Sequence, residues 1–212
     1  MNTTHNIAAL AATLITFGSL AGSANAALFV ETVDTGDTIA SAIILGSGVT
    51  EVQGSLNNDK DLWGFSILGS GRDVQITLGN SPFDDNLILF DSLGRGIAGN
   101  DDIGRASASP GIDLPAGISG LDSEIFVFLN PGLYYIAVGQ NNISGLNSIG
   151  QSFIDNDSGL FSTPTTEVLD ALGGSNGTGV YTLRFSSVPE PTSTMFFALA
   201  TFGFLANRRR LA

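Results

Sequence analysis

The sequence predicts an all-β fold, an antiparallel β-sandwich or jelly roll, and three observations support this. Glycine accounts for 27 of the 212 residues, and only 13% of residues are charged. Short apolar runs recur between glycine, asparagine and aspartate, the residues that turns prefer. Between the two ends of the chain, no stretch shows a long apolar period of 3.6 residues, so amphipathic helices are not indicated.

Seven strands are predicted in the domain that we place at residues 27–187. The stretches 73–78 and 180–186 alternate apolar and polar residues, as half-buried strands do. The stretches 86–91 and 123–129 contain the continuous apolar runs LILF and IFVFL, which are typical of buried strands. The complete set of predicted strands is 49–56, 62–68, 73–78, 86–91, 123–129, 133–139 and 180–186.

The segment between residues 140 and 178 is rich in glycine, asparagine and serine. Only two short stretches in it, at 152–154 and 166–172, have an apolar pattern. Long segments of this composition inside a compact domain are usually functional or mobile. The sequence therefore predicts a long surface loop here, with one short helical turn near 166–172.

The charge distribution is strongly acidic, with a formal net charge of −12. Three of the eight basic residues lie at the C-terminus. The rest of the chain contains five basic and 20 acidic residues, a net charge of −15. Nucleic acid is excluded as an expected partner, because phosphate contacts need a basic face. Divalent cations suit such a surface.

The chain has no cysteine, and His5 is its only histidine. Disulfides, thiolate metal sites and cysteine nucleophiles are therefore excluded. His5 lies in a segment that we expect to be removed, so the mature protein would also lack histidine bases and catalytic triads.

The N-terminus has the features of a secretory signal peptide over residues 1–26. Residues 7–24 are apolar and small, and Ala24 and Ala26 form a small-x-small cleavage pattern. We predict export by the Sec machinery and cleavage after Ala26. The first six residues carry no lysine or arginine, and an uncleaved membrane helix is the alternative.

The C-terminus combines a proline-flanked glutamate, an uncharged run at 192–206 and a basic cluster, Arg208, Arg209 and Arg210. Fifteen helical residues span about 22 Å, short of the ~30 Å hydrocarbon core of a bilayer. The arginines act as a stop and prefer the cytoplasmic side. We predict a short transmembrane helix at 192–206, with the domain outside.

Residues 188–212 resemble the PEP-CTERM sorting signal in their tripartite order. The resemblance implies that an exosortase, a membrane processing enzyme, reads the motif, in bacteria that usually also make exopolysaccharide. A plain C-terminal anchor with a chance Pro-Glu-Pro is the alternative. The sorting motif consists of Val188, Pro189, Glu190 and Pro191.

Four further motifs, at 59–65 (DKDLWGF), 83–94 (FDDNLILFDSLG), 99–102 (GNDD) and 131–138 (PGLYYIAV), follow one another in order. Together they resemble the bacterial pre-peptidase C-terminal (PPC) domain over about residues 31–139 and the last strand. The resemblance implies a non-catalytic β-sandwich appended to secreted enzymes and surface proteins. Some members bind matrix polymers, and some bind calcium. We expect no attached peptidase here, which counts against a peptidase-accessory role.

Two acidic clusters are candidate calcium sites, because calcium takes six to eight oxygen ligands. A role as turn-forming aspartates and asparagines is the reading that we favour over calcium in both cases. Glu31, Asp34 and Asp37 lie where some PPC members bind calcium, although a turn or linker is the reading we favour for them. The other cluster flanks a strand and its turn, and it comprises Asp84, Asp85, Asp91, Asn100, Asp101 and Asp102.

The sequence thus favours a non-enzymatic, exported surface or extracellular-matrix protein, first anchored in the inner membrane and then displayed or released. Adhesion or interaction with exopolysaccharide in a biofilm is the expected role. The alternatives are a purely structural matrix role and an accessory or binding module of secreted hydrolases. Exposed Trp63, Phe65, Tyr134 and Tyr135 would stack on sugars, but core packing is commoner for such residues.

Overall fold

The computed structural model describes residues 27–101, 122–140, 142–155 and 157–187. All regular elements within these ranges are strands, and the predicted all-β class is confirmed. The strands are β1 Ala27–Val30, β2 Ile43–Ile44, β3 Val49–Asp59, β4 Asp61–Ile67, β5 Arg72–Gly79, β6 Asp85–Asp91, β7 Gly96–Asn100, β8 Glu124–Leu129, β9 Gly132–Gln140, β10 Ser144–Leu146, β11 Ser152–Asp155, β12 Gly159–Leu160, β13 Ala171–Gly173 and β14 Gly177–Ser187.

Two large sheets form the sandwich. One has five strands in the order β1-β3-β14-β5-β8, and the other has six in the order β12-β7-β6-β9-β4-β2. Most neighbours are antiparallel, as predicted, while β1 pairs with β3 and β2 with β4 in parallel at the edges. The alternating apolar positions of both sheets face each other and form the main core.

The central part of the six-stranded sheet is buried on both faces. In β6, Leu87 and Leu89 enter the main core, whereas Ile88 and Phe90 enter a second apolar cluster on the outer face. The continuous apolar run in this strand therefore has a partner on each side. Ile143 and Ile154, from beyond β9, help to fill the second cluster.

The structure corrects the prediction of a surface loop at 140–178, because this segment covers the outer face of the six-stranded sheet. This segment contributes β10, β11 and β13, which form a three-stranded sheet in the order β11-β10-β13, and β12, which extends the six-stranded sheet. No helical turn occurs at 166–172, because Leu169 and Leu172 are drawn into the second cluster and Ala171–Gly173 pairs with β10.

The continuous apolar run of β8 behaves differently from that of β6. Ile125, Val127 and Leu129 are buried in the main core, but Phe128 is 55% exposed on the outer face. The prediction of a fully buried strand was wrong here, because β8 is an edge strand whose outer face has no covering layer among the described residues.

The aromatic residues considered for sugar stacking lie mainly in the core. Trp63 is fully buried, and Phe65 and Tyr135 are nearly so, while Tyr134 is half-buried beside Phe65. A sugar therefore has no access to the Trp63 ring. Core packing is the role of these side chains.

The predicted signal peptide at 1–26 and transmembrane helix at 192–206 lie outside the described residues. In the part of the chain that is described, no helix has the length and apolarity needed to cross a membrane.

Candidate metal centre

Three carboxylates meet at one end of the sandwich. Glu31 directly follows the edge strand β1, and its backbone N–H donates to the Gln53 carbonyl oxygen of β3 at 2.9 Å. Asp34 lies three residues further on, and Asp61 is the first residue of β4. One carboxylate oxygen from each residue lies within 4.8 Å of the other two.

Asp61 lies on the core face of its strand. Alternation along β4 places it on the same side as Trp63 and Phe65, and its side chain is fully buried. The Tyr181 hydroxyl donates a hydrogen bond to Asp61 Oδ2, and Trp63 Nε1 donates to the Tyr181 oxygen at 2.7 Å. The other oxygen, Oδ1, is buried and has no hydrogen-bond partner.

Gly54 makes room for this hydrogen-bonded chain. A Cβ atom at Gly54 would lie 2.3 Å from Cζ of Tyr181 and 2.4 Å from its hydroxyl oxygen. Any side chain here would force the ring away from Asp61. The glycine in the middle of β3 is thus explained by the close approach of the Tyr181 side chain.

Glu31 is held in place by backbone donors. Its Oε1 accepts from the Thr35 N–H at 3.1 Å, and its Oε2 accepts from the Ser55 N–H at 2.7 Å. Asp34 is exposed at the surface. Glu31, Asp34 and Ser55 line a polar surface cleft of about 240 Å³, through which an ion would reach the cluster.

Burial raises the pKa values of all three acids. The pKa of Asp61 is raised to about 8, mainly by burial and also by the neighbouring charges of Glu31, Asp59 and Asp34, against the hydrogen bond from Tyr181. The pKa of Glu31 is raised mainly by burial, and that of Asp34 by burial and by Asp59. Without a cation, the buried negative charge is therefore unfavourable.

The donor set suits a hard divalent cation such as calcium. Calcium binds oxygens at 2.3–2.6 Å, so two ligands of one ion lie no more than about 5 Å apart. The observed separations meet this limit. The unpartnered Oδ1 of Asp61 supplies a buried acceptor, and a cation would also lower the pKa values that burial raises. Water would complete the coordination.

The pKa of Asp61 predicts how stability depends on pH. Because the folded-state pKa is raised from about 3.9 to about 8, the folded chain holds a proton that the unfolded chain has lost. In chelator, the free energy of unfolding should therefore fall, by a few kcal/mol at most, as pH rises from about 4 to 8. Burial also raises the pKa of Asp85, to about 6, which adds to the fall.

Saturating calcium should reduce this fall, because the ion binds the deprotonated carboxylate and displaces the proton. Urea denaturation in buffers from pH 5 to 9, with calcium or with chelator, measures both curves. Stability that rises with pH in chelator would contradict the protonated state of Asp61.

The structure brings together only part of the acidic cluster predicted at the N-terminal edge. Glu31 and Asp34 are in the centre, while the Asp37 backbone carbonyl accepts from the Leu172 N–H and Asp37 is outside the three-carboxylate group. Asp61, the third member of this group, was not predicted as a candidate ligand. Its signal was present in the sequence: an acidic residue two positions before Trp63 falls on the core face of the strand.

The other predicted calcium cluster is spread along β6. Asp85 is buried at the start of the strand, where its Oδ1 accepts from the Ser123 N–H at 2.8 Å. Asn100 is buried on neighbouring β7, and its Nδ2 donates to the Glu124 carbonyl oxygen. The Asp101 carbonyl oxygen accepts from the Ser123 hydroxyl at 3.0 Å.

Asp91 stands at the far end of β6, about 20 Å from Asp85 at ~3.3 Å per residue, and pairs with Arg95 at 2.6 Å. Asp84 is half-buried just before β6. Asp102 lies outside the described residues. A calcium site that includes it therefore stays a prediction.

No protein-family model matches the chain, and no curated protein matches it. One similar solved structure is the pre-peptidase C-terminal domain of a collagenase from Bacillus anthracis, with 16% identity over 76% of this chain and 96% of that chain, at a TM-score of 0.35. Another is CorA, a surface-associated copper-binding protein of Methylomicrobium album BG8, with 10% identity over 76% and 100% and the same TM-score.

Proposed function

We propose that this chain is an exported, non-enzymatic bacterial surface or matrix protein whose β-sandwich is stabilised by a calcium ion. The observation that carries the proposal is the meeting of Glu31, Asp34 and Asp61, of which Asp61 has one buried oxygen without a hydrogen-bond partner. The ion holds the segment that follows β1 against the sandwich. It acts as a structural clamp where the chain has no cysteine for a disulfide.

Calcium fits this centre better than copper does. The three acidic side chains offer only oxygen, whereas copper prefers imidazole or sulfur donors. The chain has no cysteine, and its one histidine precedes the predicted cleavage site. The same lack of a histidine or cysteine nucleophile supports a non-enzymatic role, and the acids of the centre are already engaged by Tyr181 and backbone N–H groups.

We further propose that both ends of the chain serve delivery. The Sec machinery exports the chain, and the C-terminal run with its arginines holds it briefly in the inner membrane. An exosortase then recognises the Pro-Glu-Pro motif and passes the domain to the surface or matrix. There the domain serves adhesion or contact with exopolysaccharide. The sequence pattern at 188–212 supports this route.

The route is tested by measuring the intact mass and cell fractionation of the natural protein beside the variant P189A/E190A/P191A. We expect the natural protein to be surface-bound or released, without the residues after about 191, and the variant to stay full-length in the inner membrane. The control T192A/S193A changes neighbouring residues outside the motif and should be processed. Full-length, membrane-bound protein in every case would show an anchor rather than a sorting signal.

A further inference from the structure

A second cavity opens at the other end of the sandwich, which we call the end pocket. It has a volume of about 290 Å³ and lies between the starts of β3 and β5, the end of β4 and the end of β14. Its apolar floor consists of Leu45, Phe65, Ile67, Val74 and Phe185. The rings of Phe65 and Phe185 are 4.9 Å apart, so the floor is a packed aromatic surface.

Two polar side chains occupy positions of this pocket where the strand pattern calls for apolar ones. Arg72 shares the inward face of β5 with Val74 and Ile76, and Thr50 shares that of β3 with Val52. Both residues line the pocket. The Thr50 hydroxyl oxygen is buried and has no hydrogen-bond partner. Buried polar groups normally have a partner, so this hydroxyl is free to donate a hydrogen bond at this end of the sandwich.

Arg72 differs from the other basic residues of the described ranges. Arg95 pairs with Asp91, Arg184 pairs with Glu51, and Lys60 donates to the Asn176 side-chain oxygen at 2.6 Å. Among the described residues, the Arg72 guanidinium has neither an ion pair nor a hydrogen bond in a chain of net charge −12. An unpaired guanidinium beside an apolar floor is suited to an anion.

We propose that the end pocket binds a small amphipathic carboxylate, with its apolar body on the Phe65–Phe185 floor and its carboxylate at Arg72 and Thr50. The guanidinium supplies charge-assisted donors, and the Thr50 hydroxyl supplies a further donor. Ser47, Ser66 and Ser186 also line the pocket. A volume of about 290 Å³ is at the small end for ligand sites, which limits the ligand to about the size of a medium-chain fatty acid.

The end pocket is separate from the metal centre. Asp61 begins β4 and Ile67 ends it, so about 20 Å of strand lies between the two sites at ~3.3 Å per residue. Carboxylate binding should therefore be the same in calcium and in chelator. Its failure would leave the proposed calcium clamp untouched, and failure of the clamp would leave the pocket untouched.

The test is calorimetric titration of the detergent-free full chain with octanoate below its micelle concentration. Octanol serves as the neutral ligand of equal length. We expect saturable binding of one octanoate per chain and at least about tenfold weaker binding of octanol. The variant R72Q should lose about tenfold or more in octanoate affinity, because it loses a charged hydrogen-bond donor. The variant T50V, which keeps the side-chain shape, should lose several-fold.

The matched control is R184Q, which removes the same charge from the outer face of the same sheet and should bind octanoate as the natural chain does. Thermal melting of each variant confirms folding. No binding by the natural chain up to about 10 mM octanoate would overturn the proposal. Equal loss in R72Q and R184Q, or octanol binding as tightly as octanoate, would also overturn it, because the pocket would then not recognise the carboxylate.

Discussion

The variant D61N should be more stable than the natural chain in chelator and less stable than it in saturating calcium. The amide removes a buried charge that burial opposes, since the pKa of Asp61 is raised to about 8. Asparagine still accepts from the Tyr181 hydroxyl, and its amide group can donate to Glu31 or Asp34. At pH 8 without calcium we expect a gain of about 1–3 kcal/mol in the free energy of unfolding.

Calcium should reverse this order. An ion at 100 times its dissociation constant stabilises the natural chain by about 2.7 kcal/mol, whereas D61N lacks the central ligand and gains little. Urea denaturation followed by the fluorescence of the one tryptophan, buried Trp63, measures all four conditions. The control D73N removes the same charge from the outer face of β5 and should change stability by about 0.5 kcal/mol or less in both media. Parallel calcium gains in D61N and the natural chain would refute the assignment of Asp61.

The variant Y181F should lose about 2–5 kcal/mol of folding stability. The Tyr181 hydroxyl accepts from Trp63 Nε1 and donates to Asp61 Oδ2, and all three side chains are buried. Removing the hydroxyl leaves a donor and an acceptor in the core without partners, and each costs about 1–3 kcal/mol. It also removes the hydrogen bond that lowers the pKa of Asp61, so calcium should bind more weakly.

Y134F is the matched control, because it removes a hydroxyl that donates to the Asn130 carbonyl oxygen at 2.9 Å on the exposed edge of the sandwich. We expect it to cost less than about 1 kcal/mol. Thermal and urea denaturation of both variants give the comparison. A Y181F chain no less stable than Y134F would mean that the Trp63–Tyr181–Asp61 chain does not form.

The sandwich was predictable because its strands follow local rules. Alternation, continuous apolar runs and turn residues marked the seven predicted strands, and each has a counterpart within three residues at either end, as β3, β5 and β14 show. The missed strands are short or glycine-rich. The β7 sequence GIAGN has little alternation of apolar and polar side chains. A glycine is needed at position 96, because a Cβ atom there would collide with the Ile154 side chain.

The segment 140–178 was misread because its role depends on the rest of the fold. Its isolated apolar residues, such as Ile143, Ile154 and Leu172, have no local period. Their positions are set by packing against the apolar outer face of the six-stranded sheet. The continuous apolar run of β6 indicated that both faces of this strand are buried. The sequence alone does not say which segment packs on the outer face.

The three-carboxylate group was half predictable. Glu31 and Asp34 are close in sequence and were grouped correctly, whereas Asp61 joins them only through the pairing of β1 with β3 and the turn into β4. Asp61 carries a visible clue, its in-phase spacing with Trp63, which a search for neighbouring acids overlooks. The end pocket had no such clue, since Thr50 and Arg72 come from different strands.

The most direct test of the proposed calcium clamp is the amount of calcium bound at equilibrium. The natural chain and D61N are dialysed against the same calcium buffer near pH 8, and the metal is counted by mass spectrometry against protein concentration. We predict that D61N holds one calcium per chain fewer than the natural chain. Equal calcium in both proteins would contradict a calcium ion at Glu31, Asp34 and Asp61.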